Sequence, residues 1–335
     1  MRKFIFTVTA LLSFVAAFSQ QDSILFAGER HFKNVIQLTN GGDNAEAYWS
    51  YDSKRITFQR SNTKEGVNCD QIFMGVVRTN NSTAFTYKSI SGGKGRTTCS
   101  YFMPDGKHII YASTIGGGMD CPPPVDRAKY GNKYIWPLYN TYDIYMADTA
   151  GKIVKQLTNA KGYDAEATLS YDGKKMIYCS DKDGDLELYV MDIASGKEKR
   201  ITHTLGYDGG AWFSPDGKKI VWRASRPSTP EEVEEYTSLL KEGMVAPTKM
   251  EVWIANADGS DAKVRTVADE IFTQGHPELN GLNAGLLISN GQLFNDPKMS
   301  TALNDLASMS VLPQSVVDAF RGATRGTLSA DKVSY

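Results

Sequence analysis

The chain has 335 residues, 41% of them hydrophobic and 11% aromatic, enough to bury a sizeable core and to exclude disorder as the dominant state. Its 37 basic residues against 38 acidic ones leave a net charge of -1, and no local basic stripe is present, so nucleic acid is excluded as a partner. Thirty glycines and seventeen tyrosines with few long apolar runs point to many short strands joined by tight turns rather than to a helix bundle.

Arg2 and Lys3 precede an apolar run from Phe4 to Phe18, and Ala17-Phe18-Ser19 offers the small residues read by a signal peptidase. Residues 1–19 are expected to be a cleaved export signal. The run is short for a bilayer span, and no membrane insertion is expected after cleavage. Export places the rest in an oxidising compartment.

From residue 49 onward one pattern recurs four times: Trp49-Ser50-Tyr51-Asp52-Ser53, Phe102-Met103-Pro104-Asp105-Gly106, Leu169-Ser170-Tyr171-Asp172-Gly173 and Phe213-Ser214-Pro215-Asp216-Gly217. Each is an apolar strand running into an Asp-Gly hairpin turn, with Ser53 the single loss of the glycine. Ser91, Thr158 and Thr202 stand 14 residues before their turn aspartates and Thr39 stands 13 before its own. An alternating strand follows each turn, as in Gln71-Ile72-Phe73-Met74, Asp143-Ile144-Tyr145-Met146, Glu187-Leu188-Tyr189-Val190 and Glu251-Val252-Trp253-Ile254. The 44 residues from Asp172 to Asp216 are the length of one four-stranded propeller blade. The fold class is all-β: a β-propeller with four clear blades over residues 20–289.

Thr266, Asn280-Gly281 and Leu286 to Ser289 are in phase for a degenerate fifth blade, and Val35 to Thr39 reads as a strand that would complete a last blade. Residues 290–335 form a short tail, helical or irregular, in which Asp296 and Pro297 open an amphipathic stretch. The tail either caps an open propeller edge or stems from a truncated or shifted reading frame; both readings stand.

Two insertions, 114–142 and 227–249, both fall between the second and third strands of their blades, so strand parity puts them on one face. The first is rich in Pro and aromatic residues, including Tyr134, Trp136 and Tyr139, whose rings either contact a partner or fold back over the blade edge. The second carries a helix signature, with Thr229 and Glu232 as a capping box, Pro230 in the first turn, a stripe of Val233, Tyr236 and Leu240, and Gly243 as the stop. Asp164, Glu166 and Asp208 lie in the loops entering the inner strands, where they either bind a cation or a basic partner loop or cap their own turns.

Cys69 and Cys121 fall in loops of one face, where an oxidising compartment would allow a disulfide between them but the sequence leaves open whether they are bonded, while Cys99 and Cys179 read as buried thiols in or beside inner strands. Asp181, Asp183, Asp185 and Glu187 mimic a calcium loop, but position twelve is Asp192 and the repeat phase puts a hairpin there. His31, His108, His203 and His276 are scattered in phase, so no metal or cofactor is assigned.

The repeats from about Ile36 to Asp261, and most closely Gly162-Tyr163-Asp164-Ala165-Glu166-Ala167 with the stretch Asp181 to Tyr189, resemble the TolB-type propeller repeat of exported Gram-negative bacterial proteins. The resemblance implies periplasmic residence and docking on a peptidoglycan-associated lipoprotein. It departs from TolB in showing four clear blades rather than six, and in having only about fifteen residues where TolB carries an N-terminal domain. Propellers of this kind also gate prolyl-oligopeptidase-like peptidases, but no G-x-S-x-G nucleophile elbow occurs in the sequence. The functional expectation is a non-enzymatic periplasmic scaffold, without catalytic residues, that binds an envelope protein, peptide or glycan through Tyr134, Trp136, Tyr139, Asp164, Glu166 and Asp208. The alternatives are a propeller-based hydrolase or lyase acting on an envelope or extracellular polymer, and the partial propeller of a peptidase-like protein.

Overall fold

The computed structural model describes residues 35–77 and 85–265. The export signal, the fifth-blade stretch from Thr266 and the 290–335 tail lie outside the described residues. Blade one comprises β1 (Asp43–Trp49), β2 (Arg55–Asn62), β3 (Val67–Val76) and β4 (Thr86–Ser89). Blade two comprises β5 (Thr97–Phe102), β6 (His108–Ser113), β8 (Asp143–Asp148) and β9 (Ile153–Gln156), with the two-residue β7 (Trp136–Pro137) in its insertion. Blade three is β10 (Asp164–Leu169), β11 (Lys175–Ser180), β12 (Glu187–Asp192) and β13 (Glu198–Arg200). Blade four is β14 (Asp208–Phe213), β15 (Lys219–Ala224), β17 (Glu251–Asn256) and β18 (Lys263–Arg265), and its insertion holds α1 (Pro230–Lys241) and β16 (Met244–Val245). Every blade is an antiparallel meander in chain order, and the four make a propeller ring around β1, β5, β10 and β14.

The repeated turn is built by its own side chains. Ser50, Ser170 and Ser214 donate to Oδ1 of Asp52, Asp172 and Asp216 at 2.6, 2.7 and 2.6 Å, and the same oxygens accept the backbone N–H of Lys54, Lys174 and Lys218. The residue after each aspartate is left-handed, with φ of 65° at Gly106, 69° at Gly173 and 70° at Gly217. Ser53 adopts the same conformation at φ 55°, so loss of the glycine does not change the turn. The 14-residue spacing also has a cause: the hydroxyls of Ser91, Thr158 and Thr202 accept the N–H of Ile72, Ile144 and Leu188 at 2.9, 2.9 and 2.8 Å, fastening the end of each outer strand to the third strand of its blade.

The core lies between blades rather than within one. Ile110, Ile144, Ala167, Leu169 and Met176 join blades two and three, and Ile177, Leu188, Ala211, Ile220 and Trp222 join three and four. Tyr48 of β1 meets Trp212 of β14 at 5.3 Å and Tyr101 of β5 at 5.6 Å, an aromatic cluster across the axis that brings the first and fourth blades together. Residues 35–40 form no strand, contrary to the expectation for Val35 to Thr39: among the described residues β18 is the outermost strand of blade four and pairs only with β17.

The insertions stand on one face and join each other. β7 pairs with β16, setting Trp136 opposite Val245, and Leu138 N–H donates to Gly243 O at 2.7 Å. Lys129 and Lys133 reach Glu242 and Glu235 at 2.9 and 2.6 Å, tying the first insertion to α1. Thr229 and Glu232 close the capping box, Pro230 begins the helix, and Gly243 at φ 71° follows its end. The buried helical residues are Tyr236 and Leu239, one position from the anticipated Leu240, which packs only partly.

Candidate binding site at the channel mouth

All four inner strands break register at the same place: between Ala45 and Tyr48, Thr98 and Tyr101, Ala165 and Thr168, and Gly209 and Trp212. The bulged residue is left-handed each time, at φ 51° for Glu46, 51° for Cys99, 58° for Glu166 and 59° for Gly210. A side chain in that region costs on the order of 1–3 kcal/mol, and bulges re-aim side chains. Here they aim Glu46, Cys99 and Glu166 into the mouth of the channel.

The mouth is a cavity of about 610 Å³, floored by the Tyr48, Tyr101 and Trp212 cluster and walled on one side by the first insertion through Trp136 and Tyr139. Its polar groups are ordered by pairing. Arg223 of β15 donates to Glu166 Oε2 at 3.1 Å, Tyr207 donates to the same oxygen at 2.7 Å, and Tyr163 donates to Oε1 at 3.3 Å. The Arg223 guanidinium also lies 5.6 Å from the Trp136 ring centre. Arg96 pairs with Asp70 at 2.5 Å and lies 5.7 Å from the Tyr139 ring. Burial, followed by the carboxylates of Glu46 and Glu166, pushes the Cys99 thiol well up, so it stays protonated.

The structure sorts the residues singled out by the sequence. Trp136, Tyr139, Tyr134 and Glu166 line the cavity, Tyr134 at 63% exposure, while Trp136 and Tyr139 are partly buried against Tyr142, Tyr163 and Tyr207. Asp164 and Asp208 do not line it. On a regular strand Asp164 and Glu166 would share a face, but the bulge separates them and leaves Asp164 between blades. Asp208 is fully buried, bonded to Arg226 at 2.6 Å and to the Trp222 indole N–H at 2.5 Å. Asp181, Asp183, Asp185 and Glu187 disperse to the Tyr163 N–H, the Tyr189 hydroxyl, the Tyr236 hydroxyl and Arg200, so they form no common loop. Cys69 and Cys121 are joined in a disulfide with Cα atoms 6.1 Å apart, Cys179 is buried, and Cys99 is partly exposed to the channel.

The sequence reading missed Arg96, Arg223, Tyr48 and the bulge. One signal was available. Gly210 stands in register with Glu46, Cys99 and Glu166, and a glycine in one copy of a repeated strand marks a position of positive φ.

Residues 138–234 match the sequence profile of the family described as the TolB beta propeller domain. That stretch carries the TolB-type propeller repeat. Among solved structures, TolB of Acinetobacter baumannii is 20% identical with a TM-score of 0.44, over 67% of this chain and 44% of that one. A protein assigned as TolB from Agrobacterium tumefaciens is 14% identical with a TM-score of 0.36, over 67% and 80%. A puromycin-hydrolysing peptidase of Mycobacterium tuberculosis is 12% identical with a TM-score of 0.44, over 69% and 30%. The chain thus spans less than half the length of the first and third of these. No curated protein sequence matches it. Among the described residues, no helix of the propeller is long and apolar enough to cross a membrane.

Proposed function

We propose that this TolB-type propeller is a non-enzymatic periplasmic scaffold that holds a segment of an envelope protein, peptide or glycan in the mouth of its channel. The observation that carries the reading is the wall of Trp136 and Tyr139 over a cavity of about 610 Å³. Aromatic faces supply contact area at little entropic cost, and a channel mouth with a few ordered polar groups suits an extended chain or a sugar ring. The ionisable groups there favour binding over turnover: Glu166 is held by Arg223 and two tyrosines, Asp70 by Arg96, and the Cys99 thiol stays protonated. Export is supported by the Arg2-Lys3 and Phe4 to Phe18 pattern, and the Cys69 to Cys121 bridge accords with an oxidising compartment. Docking on a peptidoglycan-associated lipoprotein is one form of this reading.

The test is affinity capture from an envelope extract with wild-type protein and with Trp136→Ala/Tyr139→Ala. The expected result is one partner retained by wild type and lost by a variant of unchanged melting temperature. Equal retention by both, or hydrolysis of an envelope polymer by the purified protein, overturns the proposal.

A further inference from the structure

The seams between blades are built from three side chains in repeat register: the residue opening the third strand, the Ser or Thr that fastens it, and the residue opening the next inner strand. In the first seam these are Gln71, Ser91 and Thr97, all neutral, with Ser91 donating to Gln71 at 2.6 Å; β3 begins four residues earlier, but Gln71 precedes the fastened Ile72 as Asp143 precedes Ile144 and Glu187 precedes Leu188. In the third seam they are Glu187, Thr202 and Asp208, and each carboxylate has its own guanidinium, Arg200 at 2.5 Å and Arg226 at 2.6 Å.

The second seam holds Asp143, Thr158 and Asp164 and lacks both arginines. Gln156, opposite Tyr145, occupies the register of Arg200, opposite Tyr189. Lys182 stands two residues beyond Ser180 as Arg226 stands two beyond Ala224, but its ammonium is bound to Glu198 at 2.5 Å and to the Tyr178 hydroxyl. The seam has the two carboxylates of its neighbour and is two positive charges short.

Burial makes that deficit matter. Asp164 is 1% exposed and neither of its carboxylate oxygens has a hydrogen-bond partner, whereas Glu187 and Asp208 each leave one oxygen unpaired. Thr158 Oγ1 lies 3.4 Å from Asp143 Oδ1, and Gln156 donates to Oδ2 at 3.0 Å. Burial and then repulsion from Asp164 lift the Asp143 carboxyl to about 6. Burial also lifts Asp164, and although the hydroxyls of Ser180 and Thr158 lie near its carboxylate, neither is in hydrogen-bond geometry with it. The remaining titratable groups that bear on the pair are Lys182, Glu198, Tyr145, Tyr178 and Cys179, of which only Lys182 is cationic.

We propose that the seam between blades two and three binds a divalent cation of the calcium type, held by the carboxylates of Asp143 and Asp164 with the hydroxyls of Thr158 and Ser180. All four donors are hard oxygens, without nitrogen or sulfur, and a charge of two equals the two missing guanidiniums. The position couples the ion to the channel mouth: Asp164 N–H donates to the carbonyl of Tyr142 at 3.0 Å, the residue that closes the aromatic insertion.

The test is thermal unfolding of the full chain after chelation, with and without about 1 mM calcium chloride, at pH 7.5. Calcium is expected to raise the melting temperature by about 3–6 °C, and magnesium by less. Asp164→Asn is expected to remove the response. Gln156→Arg, which restores one guanidinium in the register of Arg200, is expected to keep the fold, stabilise the chelated protein and weaken the calcium response at least tenfold in concentration. Chelated and calcium-loaded wild type melting together means that the pair holds a proton instead and overturns the proposal. So does a full calcium response in both variants, which places the ion elsewhere.

Discussion

Arg223 of blade four donates to Glu166 of blade three at 3.1 Å, and its guanidinium also lies against the Trp136 ring of blade two's insertion. One side chain thus links three blades at the channel mouth, and it can do so because the bulge in β10 turns Glu166 out of the seam and toward it. The Glu166 side chain is 9% exposed and that of Arg223 is 44% exposed, so the pair is stronger than a surface ion pair and weaker than a buried one.

Replacing Arg223 by Met is therefore expected to cost about 1–2 kcal/mol, because the Glu166 carboxylate loses its cation. Adding Glu166→Gln to that variant should recover most of the loss, since a neutral amide does not need the guanidinium. Denaturant unfolding of the two single variants and the double variant measures the coupling.

The bulge predicts opposite outcomes for exchanges of like size. A Cβ at Gly210 would sit 2.7 Å from Arg223 Nε and would carry the positive-φ penalty, so Gly210→Ala should destabilise by about 1–2 kcal/mol. Cys99 already bears that penalty at φ 51°, and Cys99→Gly should leave the melting temperature unchanged or raised. Paired thermal melts decide it.

The Cys69 to Cys121 bridge spans 52 residues and ties the first insertion to blade one. Cys69→Ser with Cys121→Ser should cost about 3–4 kcal/mol through freedom regained by the unfolded chain. Reductant should lower the melting temperature of wild type and leave that of the double variant alone.

Buried acids set the pH response. Burial lifts Asp208 to about 7, with Arg226 opposing, and lifts Asp143 to about 6. Raised carboxyls bind protons more readily in the folded than in the unfolded chain, so stability should rise as pH falls from above 7 toward about 4. Below that, Asp52, Asp172 and Asp216, held low first by the Ser50, Ser170 and Ser214 hydroxyls, lose their contribution. With chelator present the melting temperature should be higher at pH 5.5 than at pH 8, and Asp208→Asn should flatten that difference.

The repeat was legible because its determinants are local. The Asp-Gly turn is made by residues within five positions of one another, the Ser or Thr fastening by residues 14 to 19 apart, and the α1 cap by four consecutive residues; chain-neighbour chemistry writes such contacts directly into the sequence. Strand parity likewise put both insertions on one face. What joins at the channel mouth is different in kind. Glu166 and Arg223 are 57 residues apart, and Arg96 and Asp70 are 26 apart in neighbouring blades. Only the closing of blades around an axis, with one bulge per inner strand, decides that Glu166 faces the cavity while Asp164, two residues earlier, faces a seam. A sequence motif fixes which residues can form a turn, but the direction of a side chain after a register break depends on the neighbouring blade against which that strand is packed.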